Sequence, residues 1–154
     1  MKSEIDNRKL EMLVHTEPTE EELRGLFRFL AAEHGFGFVD ETLRDEESFV
    51  DAFLNGECSP MVFEWEGQCI GILWLTDYCY FPKSAFIHYA VSSRHGRPMM
   101  RAARAFIDAV LDGDDYRVLF AVFNEHDCAS RRLSAIFGFT VFGEKDGKVY
   151  AVRI

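Results

Sequence analysis

One imidazole interrupts the apolar run Ala85-Phe86-Ile87-His88-Tyr89-Ala90-Val91. A histidine with an ordinary pKa of about 6.5 can accept and return a proton at neutral pH. His88 is therefore a candidate general base, and it also reads as a histidine satisfied inside a half-buried sheet. Directly after it comes Ser92-Ser93-Arg94-His95-Gly96-Arg97-Pro98. A strand that runs into a tight loop and opens a helix aims several backbone N–H groups at one point. Those groups and the helix dipole make an anion site. Arg94, Arg97 and Arg101 stand near it for charge-assisted contacts. The competing reading is a helix start capped by Ser92 or Ser93, with solvated arginines. A third group is Asn124, Asp127 and Ser130, in which Asp127 also fits a plain N-cap.

The elements that must position these groups follow from periodicity. Leu10 to Thr16 reads as a strand. Thr19 and Glu22 fit a capping box, and Leu23, Leu26, Phe27, Leu30 and Ala31 follow at helical spacing until His34-Gly35-Phe36-Gly37 stops them. A second helix is expected from Asp45 to Leu54, with Phe49, Val50, Phe53 and Leu54 as its apolar stripe. Pro60 to Trp65 and Cys69 to Thr76 form a hairpin around Glu66-Gly67-Gln68, and Ala85 to Val91 is the next strand. Strict alternation would place Phe86, His88 and Ala90 on one face. Pro98 suits a helix start, and Met100, Ala103, Ile107, Val110 and Leu111 continue that helix to Gly113. Arg117 to Phe123 reads as a fully buried strand, so a βαβ crossover is expected. A last helix carries Ala129, Leu133, Ile136 and Phe137. Two final strands, Phe139 to Phe142 and Lys148 to Ile154, flank a turn at Glu144-Lys145-Asp146-Gly147.

Composition narrows the chemistry. The chain has 154 residues, with Lys plus Arg 17 and Asp plus Glu 26, a net charge of −9. One domain spanning residues 1–154 is expected at this length. The acidic balance argues against nucleic acid and anionic membrane as partners. No run reaches the roughly 18 apolar residues of a membrane span. The start, Met1 to Asp6, is polar and acidic, unlike a signal peptide. Cys58, Cys69, Cys79 and Cys128 form no C-x-x-C pair and complete no zinc pattern with the histidines, so no metal is expected and reduced thiols in a cytoplasmic protein are.

The order β α α β β β α β α β β, together with AFIHYAVSSRHGRPMM and NEHDCASRRLSAIFGF, resembles the GCN5-related N-acetyltransferase (GNAT) superfamily. The resemblance implies an α/β (α+β) fold: a mixed, mostly antiparallel sheet of about seven strands flanked by about four helices. It implies acetyl-CoA as cofactor, its pantetheine arm along the strand ending at Ala90 and Val91. Its diphosphate would lie on the loop and helix start at Ser93, Arg94, His95, Gly96, Arg97, Met99 and Met100. Asn124, Asp127 and Ser130 fall where a later family motif lies, and the resemblance makes them further cofactor-binding candidates. The chain departs from the loop pattern: His95 takes the arginine place, and Pro98 and Met100 take two glycine places. Ser134 stands where the family often has its tyrosine acid, and the strand lacks the family's glutamate base. His88 and Ser134 are thus the catalytic candidates, with Tyr78, Tyr80 and Tyr89 as substitute acids. The implied acceptor is a small-molecule amine or a peptide, which Asp77 and Glu64 could attract, and the last strands, with an edge such as Lys148–Ile154, would suit a homodimer. The alternative is a non-catalytic binding or assembly protein of the same fold, its aromatic surplus forming a partner surface.

Overall fold

The first helix begins where Thr19 stops being extended. Its Oγ1 accepts from the Glu22 amide at 3.1 Å, and Glu22 Oε1 accepts from the Thr19 amide at 3.0 Å. This reciprocal cap satisfies two amides that would otherwise lack partners. The computed structural model describes residues 12–35, 43–56, 60–77, 83–92 and 96–154. The helices are α1 (Glu20–His34), α2 (Glu46–Asn55), α3 (Gly96–Asp112) and α4 (Cys128–Ile136). The strands are β1 (Leu13–His15), β2 (Met61–Trp65), β3 (Gln68–Asp77), β4 (Ser84–Val91), β5 (Val118–Asn124), β6 (Thr140–Lys145) and β7 (Lys148–Arg153). They form one sheet in the order β1-β2-β3-β4-β5-β7-β6. Pairing is antiparallel for β1–β2, β2–β3, β5–β7 and β6–β7, and parallel for β4–β5. This is the mixed, mostly antiparallel seven-stranded sheet with four helices that the resemblance implies. No helix among the described residues is long and apolar enough to cross a membrane.

Two compact units divide the chain, one of residues 1–74 and 89–99, the other of residues 75–88 and 100–154. In the first, Leu23, Leu26 and Leu30 of α1 are fully buried and Phe27 nearly so. They form one core with Phe49, Val50 and Phe53 of α2 and Val62, Ile72 and Trp74 of the sheet. Phe27–Phe49, Phe49–Phe53 and Phe53–Trp74 ring centroids lie 5.4, 5.0 and 5.1 Å apart, a chain of tilted and edge contacts. Gly35 ends α1 at φ +73°, a left-handed conformation that glycine adopts without steric cost. Leu54, expected in the α2 stripe, is exposed; it lies beyond the last turn's buried face. Glu66 and Gly67, both at positive φ, make the β2–β3 turn.

In the second unit, Asp127 caps α4 and Asp146-Gly147 turns β6 into β7. Strand β5 buries Leu119, Ala121 and Phe123, while Val122 is exposed. The expectation of a fully buried β5 is thus corrected to a one-faced strand, since its alternate side chains look away from the core. Phe86 of β4, Phe120 of β5, Phe142 of β6 and Tyr150 of β7 make a chain of ring contacts at 5.7, 6.2 and 6.4 Å. Strand β7 lies between β5 and β6. Among the last strands the edge is therefore β6, while Lys148–Ile154, offered as an example of such an edge, is an inner strand. In α4 Ser134 is buried and Ala129 exposed, and Phe137, which ends the helix, is buried.

Candidate functional site

In the second unit, β4 and β5 pair in parallel only from Ser84↔Val118 to Phe86↔Phe120. Ile87 and His88 continue β4, and Ala121–Asn124 continue β5, beyond that last pair. β5 spends its other edge on β7, with pairs running to Asn124↔Lys148. Beyond Phe86 and Phe120 the facing edges of β4 and β5 are no longer paired with each other.

His88 is half-buried. Its Nε2 lies 2.8 Å from Thr76 Oγ1 on β3, a hydrogen bond whose direction depends on the ring tautomer. Burial along β4 falls on Ser84, Ala85, Ile87 and Ala90. Strict alternation is therefore not kept, and His88 sits with the half-buried side chains rather than on a fully buried face. Ser134 is buried, and its hydroxyl donates to the Arg131 carbonyl at 3.0 Å. That proton is committed to the helix backbone one turn earlier.

Asp127 Oδ1 accepts from the Ser130 amide at 3.0 Å, and Ser130 Oγ donates to Asp127 Oδ2 at 2.7 Å. These two residues form the α4 cap. Asn124 Oδ1 accepts from Lys148 Nζ at 2.6 Å, across the β5–β7 pair. The family-like Gly138-Phe139 step has Gly138 at φ +87°, where an added Cβ would sit 3.2 Å from Arg153 Nε. Arg153 also donates to the Phe137 carbonyl at 3.0 Å and pairs with Asp108. Arg104 donates to the Ile136 carbonyl at 2.9 Å. Two cations thus satisfy the carbonyl end of α4, as the helix dipole favours. Neither arginine stands out in the sequence, because each is remote from the helix it closes.

In the first unit, the end of β4 is held by α1. The Val91 carbonyl accepts from His34 Nε2 at 2.9 Å. The Ser92 amide donates to the Ile70 carbonyl at 2.9 Å, and Ser92 Oγ donates to Glu33 Oε1 at 3.2 Å. Sequence reading missed Glu33 and His34, which look like solvated residues at a helix end. Ala90 and Ser92 are buried. Ser93, Arg94 and His95 lie outside the described residues, as do Tyr78 and Tyr80; the side chain of Asp77 does too.

Helix α3 starts at Gly96, two residues earlier than Pro98 suggested. Pro98 falls in the opening turn, where the helix needs no N–H from it. It removes one donor from the helix N-terminus and leaves the amides of Gly96 and Arg97. Arg97 is exposed. Met99, not Met100, is the buried methionine, at 1% exposure. A Cβ on Gly71 would meet Met99 Cε at 2.8 Å and Val91 Cγ1 at 3.3 Å. Gly71 therefore admits the Met99 side chain to the sheet, so Met99 can offer a ligand only its backbone. Met100 is half-buried. Cys69 is buried, and burial, aided by the Glu22 and Glu64 carboxylates, pushes its thiol up to about 12. It is no nucleophile at neutral pH.

No protein-family model matches this chain, and no curated protein matches it in sequence. Solved structures do match it in fold. Microcin C7 self-immunity acetyltransferase MccE, solved with acetyl-CoA and AMP, is similar at TM-score 0.75 and 14% identity over 94% of this chain and 92% of that one. RimL, a ribosomal L7/L12 alpha-N-protein acetyltransferase solved with coenzyme A, is similar at TM-score 0.73 and 15% identity over 94% of each chain. A GNAT-family acetyltransferase from Bacillus anthracis is similar at TM-score 0.69 and 11% identity, covering 94% and 95%. At these identities the likeness is one of architecture, and by that architecture the chain has the fold of the GNAT acetyltransferases.

Proposed function

We propose that this protein is an acetyl-CoA-dependent N-acetyltransferase. The observation that carries the reading is the parting of β4 from β5 after Phe86 and Phe120. Similar proteins of this fold, MccE and RimL, were solved with acetyl-CoA and coenzyme A. The cofactor's diphosphate would rest on the opening turn of α3, on the Gly96 and Arg97 amides, with Arg97 and Arg94 supplying charge. The backbones of Met99 and Met100 continue that proposed cradle, and Ser93 and His95 are proposed contacts by their place in the sequence alone. The pantetheine arm would run along β4 toward Ala90 and Val91, where the Val91 carbonyl already holds His34.

The chemistry is direct attack of a neutral amine on the thioester carbon. A new C–N bond forms, the C–S bond breaks, and the amine loses one proton while the thiolate gains one. His88 is the proposed base. Its hydrogen bond to Thr76 Oγ1 at 2.8 Å orients the ring for that role. The acceptor is a small-molecule amine or the amino group of a peptide. In the first assay, acetyl-CoA should raise the melting temperature in a saturable way. A flat curve up to millimolar cofactor would contradict the proposal.

One observation favours a second reading. Ser134, at the place of the family's acid, is buried and bonded to the Arg131 carbonyl. A protein that binds the cofactor without turnover, acting in binding or assembly, fits that arrangement. Saturable binding with no thiol release over an amine and peptide panel would select it.

A further inference from the structure

The first unit carries a cluster that the acetyltransferase chemistry does not use. His15 of β1, Glu22 of α1 and Glu64 of β2 bring one ligand atom each to within 4.8 Å of one another. His15 Nε2 lies 3.2 Å from Glu22 Oε2 and 3.4 Å from Glu64 Oε1. We infer that these three side chains form a binding site for a divalent cation of the zinc class.

Distances support this first. Ligand atoms placed about 2.0–2.2 Å from a tetrahedral zinc are roughly 3.3–3.5 Å apart. The two separations from Nε2 sit at or close to that edge length. Orientation supports it independently. Nε2 is a buried atom, yet it makes no hydrogen bond. Both carboxylate oxygens are near enough, but neither lines up with the ring nitrogen. A ring N–H donating to either glutamate is therefore not what holds the cluster, whereas a cation on the nitrogen's lone pair could bind both oxygens.

The surroundings fit a built site. Glu22 spends its other oxygen, Oε1, on the Thr19 amide at 3.0 Å, so the cap of α1 orients the carboxylate. Glu64 pairs with Leu13 across β1–β2, which fixes its strand against the strand of His15. The three side chains are only 20–30% exposed. Two half-buried carboxylates that face one imidazole repel each other, and a dication offsets both charges. An imidazole among the donors favours zinc over magnesium or calcium, which prefer all-oxygen sets. Three protein ligands leave a fourth position for water. The three-residue strand β1 would thereby be tied to α1 and β2.

The test is titration of the whole chain with zinc chloride by calorimetry, in parallel with cobalt(II) absorption spectroscopy. One zinc per chain should bind with release of protons and a rise in melting temperature that EDTA reverses. Cobalt should give visible bands of nitrogen and oxygen ligation, with no sulfur-to-cobalt band in the near ultraviolet. Glu64→Gln, close in shape to the original, and His15→Ala should each weaken binding about a hundredfold or more, since even outer-shell changes cost about 10–100-fold. Circular dichroism checks that each variant is folded; should His15→Ala fail that check, Glu64→Gln decides alone. Absence of saturable zinc binding, binding unchanged in the folded variants, or a sulfur-to-cobalt band would overturn the inference. Acetyl-CoA binding plays no part in these readouts.

Discussion

Thr76 on β3 and His88 on β4 meet side chain to side chain, Oγ1 to Nε2, at 2.8 Å. A threonine has one rotatable hydroxyl on a stiff β-branched stem. Its contact with Nε2 orients the imidazole. Replacing Thr76 by Val keeps the shape and removes the hydroxyl. With His88 as base, Thr76→Val should lower kcat, shift its pH profile and leave the Kd for acetyl-CoA unchanged. A purely structural bond would change the melting temperature and leave the pH profile of kcat where it was.

His88→Ala should lower kcat by about 10²–10⁴-fold, the usual contribution of a positioned base, without loss of cofactor affinity. Turnover equal to the wild type would remove His88 from the mechanism and pass the proton to water.

Pro98 leaves one donor missing from the opening turn of α3. Pro98→Ala restores it without disturbing the helix, because the first turn lacks internal partners in any case. A hydrogen bond to a charged phosphate is worth about 1.5–3 kcal/mol, so the Kd for coenzyme A should fall by about tenfold or more. An unchanged Kd in calorimetry would place the anion away from this turn.

Asp127 acts on α4 as a cap. Asp127→Ala should cost about 1 kcal/mol, a drop of roughly 2–4 °C in melting temperature for a chain of this size, and Asp127→Ser should recover most of it. The Kd for coenzyme A should stay put in both variants. A loss of affinity with no loss of stability would restore Asp127 to the cofactor's contacts.

Acid pH should loosen the α1–α2 pair. Hydrogen bonds from Arg28 hold Glu46, and those from Arg24 hold Glu47, below the usual carboxylate range. Such depressed groups stabilise the fold above their unfolded pKa of about 4.3, and that stabilisation is lost as pH falls through their lower folded values. Arg24→Gln should lower stability slightly at neutral pH, since exposed pairs contribute little, and the two curves should converge below about pH 4, where the wild type's carboxylates are protonated as well. A curve parallel to the wild type's throughout would show the arginine to be idle.

Caps and turns were the most legible part of the chain, because they are local. Thr19 with Glu22 predicted the start of α1, and the buried Leu23, Leu26, Phe27 and Leu30 confirm its stripe. Asp146-Gly147 marked the last hairpin. Boundaries slipped where two rules compete, as at Pro98, which suits a first helical position but occupies the third. The order β5-β7-β6 was not legible, since nothing in Lys148–Arg153 says that the final strand inserts beside β5 rather than forming an edge. For the candidate site, sequence named His88 but not Thr76, twelve residues earlier. It named Val91 but not His34, fifty-seven residues away. Partners brought together by strand pairing leave no periodic trace, so local patterns supply the elements and the fold supplies the neighbours.

Calorimetric titration with acetyl-CoA reaches the central claim most directly. The account predicts one saturable site per chain. Its affinity should fall steeply when Arg97 is changed to Ala and rise when Pro98 is changed to Ala. No heat of binding at millimolar cofactor, or binding indifferent to both substitutions, would contradict it and leave the acetyltransferase fold without the chemistry proposed for it.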